Sequence, residues 1–204
     1  SCGAEILAEK TTGSTVCPYC DNPMIMPEQF KDSYRPDYII PFMKSKKEEI
    51  VVVNIGTDRC TGDSFAPFLG SYMEENKCNI PFYGTLENPI HSMNLKRELS
   101  KIKENHKSAF IIAVDASVTQ NENKLEMIFI KNKPLQPGKG VGKELLNVGD
   151  LTLSYTVCTN SDFTFISLQN ARLGLIYKAV KKALEIVNEV QERLKYTSNI
   201  EKAV

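Results

Sequence analysis

"IVVVNIGTDRCTGDS", residues 50–64, decides the fold of this chain. It opens with an unbroken apolar run, typical of a strand buried on both faces of a parallel sheet. Its last ten residues hold two aspartates, two glycines, an arginine and a cysteine. An ordinary turn needs a glycine or an Asp-Gly pair, not this density of polar side chains. Because ligands bind beyond the carboxyl ends of the strands in open α/β sheets, the loop is predicted to line a functional site.

Composition limits the function classes. The chain has 204 residues, enough for one domain with a proper core plus a small appendage. Lysine plus arginine equals aspartate plus glutamate at 25 each, so we expect no nucleic-acid partner. No apolar run reaches the roughly 18 residues of a membrane helix, and the first residues lack the features of a signal peptide. The six cysteines are unevenly spaced, unlike a disulfide framework, which predicts a reducing, cytoplasmic location.

Two segments of unequal size are predicted. Residues 1–45 hold three cysteines and four prolines with little periodic pattern, whereas 46–204 alternate in the manner of βαβ units. The chain ends in one long amphipathic helix, with apolar residues at steps of three and four from Leu173 to Leu194. This order predicts an α/β domain with a mostly parallel sheet. Expected elements are buried strands at 50–55 and 109–117, a short strand at 79–85, helices at 64–75 and 92–106, and antiparallel additions at 125–135 and 151–157.

The cysteines of the first segment are clustered. "CPYC" at 17–20 is a Cys-x-x-Cys knuckle, and Cys2 lies fifteen positions before Cys17. Zinc ribbons use two such knuckles, because two tight turns deliver four thiolates in a tetrahedron. The string "CGAEILAEKTTGSTVCPYCDNP" resembles the zinc ribbon that recurs in bacterial proteins as an accessory module. The resemblance implies a partial zinc site at Cys2, Cys17 and Cys20, with the fourth cysteine expected three positions before Cys2, so that the ribbon is truncated here. Such a module stabilises or docks; a redox role for Cys17 and Cys20 is the alternative.

Carboxylates follow two of the predicted central strands. Asp58 and Asp63 lie in the loop after the first strand, and Asp115 ends the strand "FIIAVDA". If both strands are parallel and central, Asp63 and Asp115 lie close together. Such a pair can activate a water, one group as base and one as acid, because close like charges separate their pKa values. It can equally bind a divalent metal ion. The structural alternative for Asp63 is an N-cap at the start of the following helix.

Further candidates fall on the same predicted edge. "PLQPGKGVGKELLNVGD" (134–150) carries Gly138, Gly140 and Gly142, but it matches neither nucleotide-binding glycine motif, so we expect a loop that covers a cleft. His91 follows the strand predicted at 79–85 and would reach the cleft. Arg59 is expected to contact substrate or to form a salt bridge rather than to catalyse.

Four motifs carry a specific resemblance. They occur in the order "VNIGTDRCTGDSFAPFLG", "YGTLENPIHSMNL", "FIIAVDAS" and "PLQPGKGVGKELLNVGD", and together they resemble the YyaC family of spore proteases, relatives of the germination protease. The resemblance implies a three-layer α/β fold with a mostly parallel central sheet, as in the germination protease and the hydrogenase-maturation endopeptidases. The functional aspartates of the germination protease fall on Asp63 and Asp115, and its glycine-rich stretch falls on 137–142.

The resemblance implies an endopeptidase active in spore formation or germination. Asp63 and Asp115 would be catalytic, with Asp58, Arg59 and His91 lining the cleft. The expected substrates are small proteins or peptides, with the small acid-soluble spore proteins as candidates, and the expected location is the cytoplasm of the forespore or spore. The alternative is a catalytically silent, spore-associated binding protein of the same fold. A third interpretation is a zinc-ribbon docking module with the α/β domain as its recognition body.

Overall fold

The computed structural model describes residues 14–16, 23–25, 49–137, 146–161 and 163–201, and within these ranges it describes side chains from 49 to 188. The strands are β1 (Ser14–Val16), β2 (Pro23–Ile25), β3 (Ile50–Asn54), β4 (Phe82–Tyr83), β5 (Phe110–Thr119), β6 (Ile128–Lys131) and β7 (Leu151–Thr159). The α-helices are α1 (Phe65–Glu75), α2 (Leu95–Asn105), α3 (Thr164–Gln169) and α4 (Leu173–Glu201). Two short 3-10 helices cover Gly62–Ser64 and Glu122–Lys124.

The main sheet has five strands in the order β4-β3-β5-β7-β6. β3 pairs in parallel with both β4 and β5, and β5 pairs in parallel with β7. β6 is antiparallel to β7 and forms one edge of the sheet. The predicted α/β domain with a mostly parallel sheet is therefore confirmed. The strand expected at 79–85 is reduced to Phe82–Tyr83, and α3 is an element that the sequence pattern did not predict.

The prediction that 151–157 is an antiparallel addition was wrong. β7 lies inside the sheet and runs parallel to β5, with Asp115 opposite Ser154 and Ser117 opposite Thr156. Thr152, Ser154 and Thr156 alternate with apolar residues, a pattern typical of an antiparallel strand with one face in water. All three are buried here, so the pattern is misleading for this strand. The antiparallel expectation for 125–135 is correct for β6.

Helices cover both faces of the sheet. On one face α1 and α4 pack against alternate strand residues such as Val52, Ile112 and Leu153. On the other face α2 packs against the intervening residues, such as Val53 and Ala113. β3 is buried along its whole length because both of its faces are covered. The result is three layers with two apolar cores, and the C-terminal helix predicted from its periodicity forms part of one of them.

β1 and β2 pair antiparallel in a separate two-stranded sheet. The segment that joins them contains Cys17 and Cys20, which lie, like Cys2, outside the described residues. No helix in the described part of the chain has the length and apolar character needed to cross a membrane.

Candidate active site

The two central parallel strands bring their carboxyl ends to one edge of the sheet. Asn54, the last residue of β3, lies opposite Val114 of β5. The N–H of Ile55 then donates to the carbonyl oxygen of Val114 over 2.8 Å. Asp115 therefore lies on β5 at the point where β3 has given way to its loop. Chain direction and register fix this position, because β5 continues to Thr119 beyond the end of its neighbour.

The loop after β3 folds back on itself and places Asp63 at the same edge. The N–H of Gly56 donates to the carbonyl oxygen of Ile90 (2.8 Å), and the N–H of Thr57 donates to that of Asp63 (3.2 Å). Gly56 has φ +156°, and a Cβ at this position would lie 2.1 Å from the carbonyl oxygen of Asp63. Only glycine fits this close approach of the two ends of the loop.

A second glycine anchors the 3-10 helix that carries Asp63. A Cβ on Gly62 would lie 2.8 Å from Cδ2 of Leu168 and 3.0 Å from Cγ1 of Val157. Residues from α3 and from the end of β7 therefore press directly on the residue before Asp63. The hydroxyl of Ser64 donates to the carbonyl oxygen of Thr61 (2.7 Å) and closes the same turn. Asp63 is thus held by packing on both of its sides.

The electrostatics of the site depend on the closeness of the two aspartates. Burial raises the pKa of Asp115 well above its usual range, and the negative charge of Asp63 raises this pKa further. The backbone N–H of Ala116 lowers the same pKa, but it does not outweigh the two raising effects. Asp115 therefore retains its proton at pH values where an ordinary aspartate is ionised, next to a second carboxylate that carries charge.

Buried hydroxyl groups surround the strand end that carries Asp115. Ser154 lies opposite Asp115 in the register of β5 and β7 and is 2% exposed. Its Oγ makes no hydrogen bond within the part of the chain that the structure describes. Further along, Ser117 Oγ and Thr156 Oγ1 lie 3.2 Å apart. Sequence reasoning missed Ser154, although its place on a strand neighbouring Asp115 follows at once from the parallel pairing.

The other predicted cleft residues occupy different positions. Asp58 and Arg59 are exposed at the tip of the loop, where Asp58 Oδ1 accepts from the hydroxyl of Thr57 (3.4 Å). His91 follows Ile90, whose carbonyl oxygen binds Gly56, so it borders the loop. Its Nδ1 accepts the N–H of Met93 (3.3 Å), which is a local turn contact. The glycines predicted to cover the cleft, Gly138, Gly140 and Gly142, lie outside the described residues.

Metal binding at this edge would have to rely on few protein ligands. The described ranges contain no group of three or more histidine, cysteine, aspartate and glutamate residues that could hold an ion. Within these ranges, Asp63 and Asp115 would therefore be the side chains at this edge that bind an ion. Oxygen ligands of this type suit hard divalent cations.

Comparison with solved structures defines the class of fold. The chain is similar to the [NiFe] hydrogenase maturation protease HycI from Thermococcus kodakarensis, with a TM-score of 0.51 and 16% identity over 77% of this chain and 99% of that one. An uncharacterized protein from Wolinella succinogenes is also similar, with a TM-score of 0.44 and 15% identity over 72% and 99%. The α/β fold is thus one that a maturation protease also has.

The family follows from the sequence comparisons. Residues 28–186 match the family described as "Protein of unknown function (DUF1256)". The chain is also 36% identical to "Uncharacterized protein YyaC" of Bacillus subtilis (strain 168) over 159 residues, which are 78% of this chain and 74% of the relative. This protein belongs to the DUF1256 family, to which the resemblance of its four motifs to YyaC had pointed. The match begins within the segment predicted as a zinc ribbon, and the division at 45/46 stays a prediction.

Proposed function

We propose that this protein is a peptide-bond hydrolase in which Asp63 and Asp115 activate a water molecule. One observation carries the proposal: Asp115 is partly buried beside a second carboxylate, and desolvation together with the negative charge of Asp63 raises its pKa. Two neighbouring carboxyl groups with different environments can divide the roles of acid and base between them. The α/β fold, which a maturation protease shares, supports this assignment at the level of fold only.

The proposed mechanism uses the two aspartates as a pair that shares one proton. Asp63 is the charged partner and accepts a proton from the water as its oxygen attacks the peptide carbonyl carbon. Asp115 is the protonated partner and donates to the carbonyl oxygen, which gives a tetrahedral gem-diol. On collapse the proton on Asp63 passes to the leaving nitrogen, the C–N bond breaks, and a gem-diol hydroxyl returns its proton to Asp115. The pair ends in its starting state.

A metal ion is the alternative way for this carboxylate pair to act. Asp63 and Asp115 would hold it, and a bound divalent ion would lower the pKa of its coordinated water. The two mechanisms differ in their response to chelation. Activity that survives EDTA belongs to the shared-proton pair, and activity that EDTA abolishes and a divalent ion restores belongs to the metal.

The substrate proposal rests on the family resemblance. A small protein or peptide substrate, with the small acid-soluble spore proteins as first candidates, and a role in sporulation or germination are what that resemblance implies. A spore-associated binding protein without turnover is the competing proposal. The two differ in a cleavage assay, because only the peptidase loses an activity when either aspartate is changed.

The test is cleavage of small acid-soluble spore proteins by the purified chain, followed by mass spectrometry of the products. Asp63→Asn and Asp115→Asn should each abolish cleavage while the protein stays folded. Glu104→Gln is the matched control, because it makes the same carboxylate-to-amide change at an exposed position on α2. Cleavage that continues in both aspartate variants would overturn the proposal. No cleavage by the folded wild-type chain would favour the binding protein.

We also propose that Cys2, Cys17 and Cys20 form a partial zinc site. The antiparallel pairing of β1 and β2 on either side of Cys17 and Cys20 supports this, because a zinc knuckle sits in the turn between two short strands. Zinc content of the purified chain, measured with and without Cys17→Ser and Cys20→Ser, tests it. A content that is the same in both proteins would contradict this site.

A further inference from the structure

Exposed apolar side chains are concentrated in one short stretch. Among the residues whose side chains the structure describes, seven large apolar ones are exposed, and five of these lie between 163 and 177. Single exposed apolar residues are normal, but a cluster marks an interaction surface. We call these five residues the apolar patch: Phe163 (67% exposed), Phe165 (62%), Ile166 (52%), Leu173 (59%) and Tyr177 (40%).

The apolar patch is joined to the candidate active site by α3. The buried side of this short helix contains Leu168, which packs on Gly62 directly before Asp63. Phe165 lies three residues before Leu168, so the two are neighbours on the helix surface. The patch therefore begins within one helical turn of a contact with the turn that carries Asp63. A chain bound at the aspartates would need to extend only a few residues to reach it.

Gly174 supplies a second, independent observation. It lies in the first turn of α4, next to Leu173 and one turn before Tyr177. A Cβ at this position would meet nothing within 4 Å. Glycine weakens a helix relative to alanine, and no packing contact in the described part of the chain requires it here. Because Gly174 carries no side chain, the helix backbone between Leu173 and Tyr177 is open to a ligand at this position.

The exposed charged residues within 163–185, beside the apolar patch, are mostly positive. Arg172, Lys178 and Lys181 are exposed around it. Lys181 lies with its Nζ 4.9 Å from the ring centroid of Tyr177, so a cation borders the aromatic surface. Glu185 forms an ion pair with Lys182 over 2.8 Å, so the two charges compensate each other. The remaining charges in this stretch are positive. A ligand with acidic residues beside its apolar ones would match this rim.

We propose that the apolar patch binds a segment of the polypeptide substrate in which bulky apolar side chains are flanked by acidic residues. This inference rests on the proposed peptidase function, since it assigns the substrate class of that same site. A polypeptide segment is favoured over a second copy of the chain, because the basic rim would repel its own image across a symmetric contact.

Binding can be measured separately from cleavage. The probe is a fluorescein-labelled peptide with leucine and phenylalanine at its centre and glutamate on both flanks, titrated with the Asp115→Asn chain so that no cleavage depletes it. We expect binding that falls roughly tenfold when the central residues are changed to serine, and that also falls when the flanks are changed to lysine. Phe165→Ser should weaken binding by roughly tenfold as well.

Gly174→Ala should weaken binding too, because its methyl group would stand between a ligand and the open backbone at this position. The melting temperature should not fall, because that methyl meets nothing within 4 Å in the protein itself. The matched control is Met93→Ser, which removes an apolar side chain that is 90% exposed, against 62% for Phe165, from outside the apolar patch. It should leave binding unchanged. Equal binding by all the peptides, or by the Phe165 and Gly174 variants, would overturn the proposal. So would a dimer in sedimentation analysis that Phe165→Ser dissociates.

The outcomes separate this proposal from the proposed function. Peptide binding that depends on the apolar patch, with no cleavage by the wild-type chain, would reject the peptidase and leave a polypeptide-binding surface. Cleavage whose kcat/KM is unaffected by Phe165→Ser would keep the peptidase and reject the patch. A variant that raises KM with kcat unchanged would place the patch in substrate binding alone.

Discussion

Replacement of Asp115 by asparagine tests the physical basis of the candidate site without any substrate. The pKa of Asp115 in the folded chain lies well above its ordinary value of 3.8. Between these two values the folded state holds a proton that the unfolded state has lost, so the free energy of unfolding falls as the pH rises. A single group of this kind gives a slope of at most about 1.4 kcal/mol per pH unit. This loss of stability is absent below the pKa of Asp115 in the unfolded state and complete above its pKa in the folded state.

Asparagine removes the titration and keeps a side chain of nearly the same shape. Asp115→Asn should therefore match the wild-type chain in stability in acid and should become progressively more stable than it as the pH rises. We expect the difference to grow by up to about 1.4 kcal/mol per pH unit from about pH 4 until it reaches a plateau at the folded pKa. Urea unfolding, followed by circular dichroism at a series of pH values, measures this difference directly.

Asp63→Asn in the wild-type background separates the two causes. Burial is the larger cause of the raised pKa, and the charge of Asp63 is the second. Loss of that charge should move the plateau to lower pH without removing the slope. A difference between wild type and Asp115→Asn that is constant with pH would refute the assignment of Asp115 as a buried, protonated acid. A plateau that Asp63→Asn does not move would refute the electrostatic contact between the two groups.

Three further variants probe other parts of the reasoning. In Gly56→Ala the added Cβ would lie 2.1 Å from the Asp63 carbonyl oxygen and needs at least 3.0 Å, so the loop must shift by about 0.9 Å. We therefore expect cleavage to fall by roughly 100-fold, and full activity would contradict the tight loop. Gly174→Ala should raise the free energy of unfolding by about 0.5 kcal/mol in urea titrations. A decrease in this free energy would show that the added methyl group clashes with a neighbouring residue. Leu99 lies on α2 and is buried against the sheet, so Leu99→Ala should lower the free energy of unfolding by about 2–5 kcal/mol. A smaller decrease would contradict the packing of this helix.

The sequence predicted the central strands for a clear physical reason. Residues 50–53 and the first half of β5 are apolar without interruption, and only a strand covered on both faces needs that pattern. β7 was misread because its buried Thr152, Ser154 and Thr156 alternate with apolar residues as if they faced water. Their burial depends on what covers that face of the sheet, which no local pattern reveals.

The site was predictable to a similar degree. Asp115 stands out in the sequence because it directly follows an apolar run, and Asp63 stands out because it lies in the polar loop that follows another such run. The contacts of Gly62 with Leu168 and Val157 join segments far apart in the chain, so neither α3 nor its place beside Asp63 could be inferred locally. Ser154 was missed with β7, because its position opposite Asp115 exists only once the two strands are known to be parallel neighbours.

The unequal environments of the two aspartates follow from the topology of the sheet. Asp115 belongs to a central strand, next to β7 and to the loop that follows β3, and desolvation there disfavours its charged form. Asp63 belongs to a 3-10 turn in a loop, and both aspartates are partly buried. An acid-base pair needs this difference, since two carboxyl groups in identical surroundings have no fixed division of roles. The fold thus places one carboxyl group on a central strand and the other on a loop turn, through strand order and loop closure, before any substrate binds.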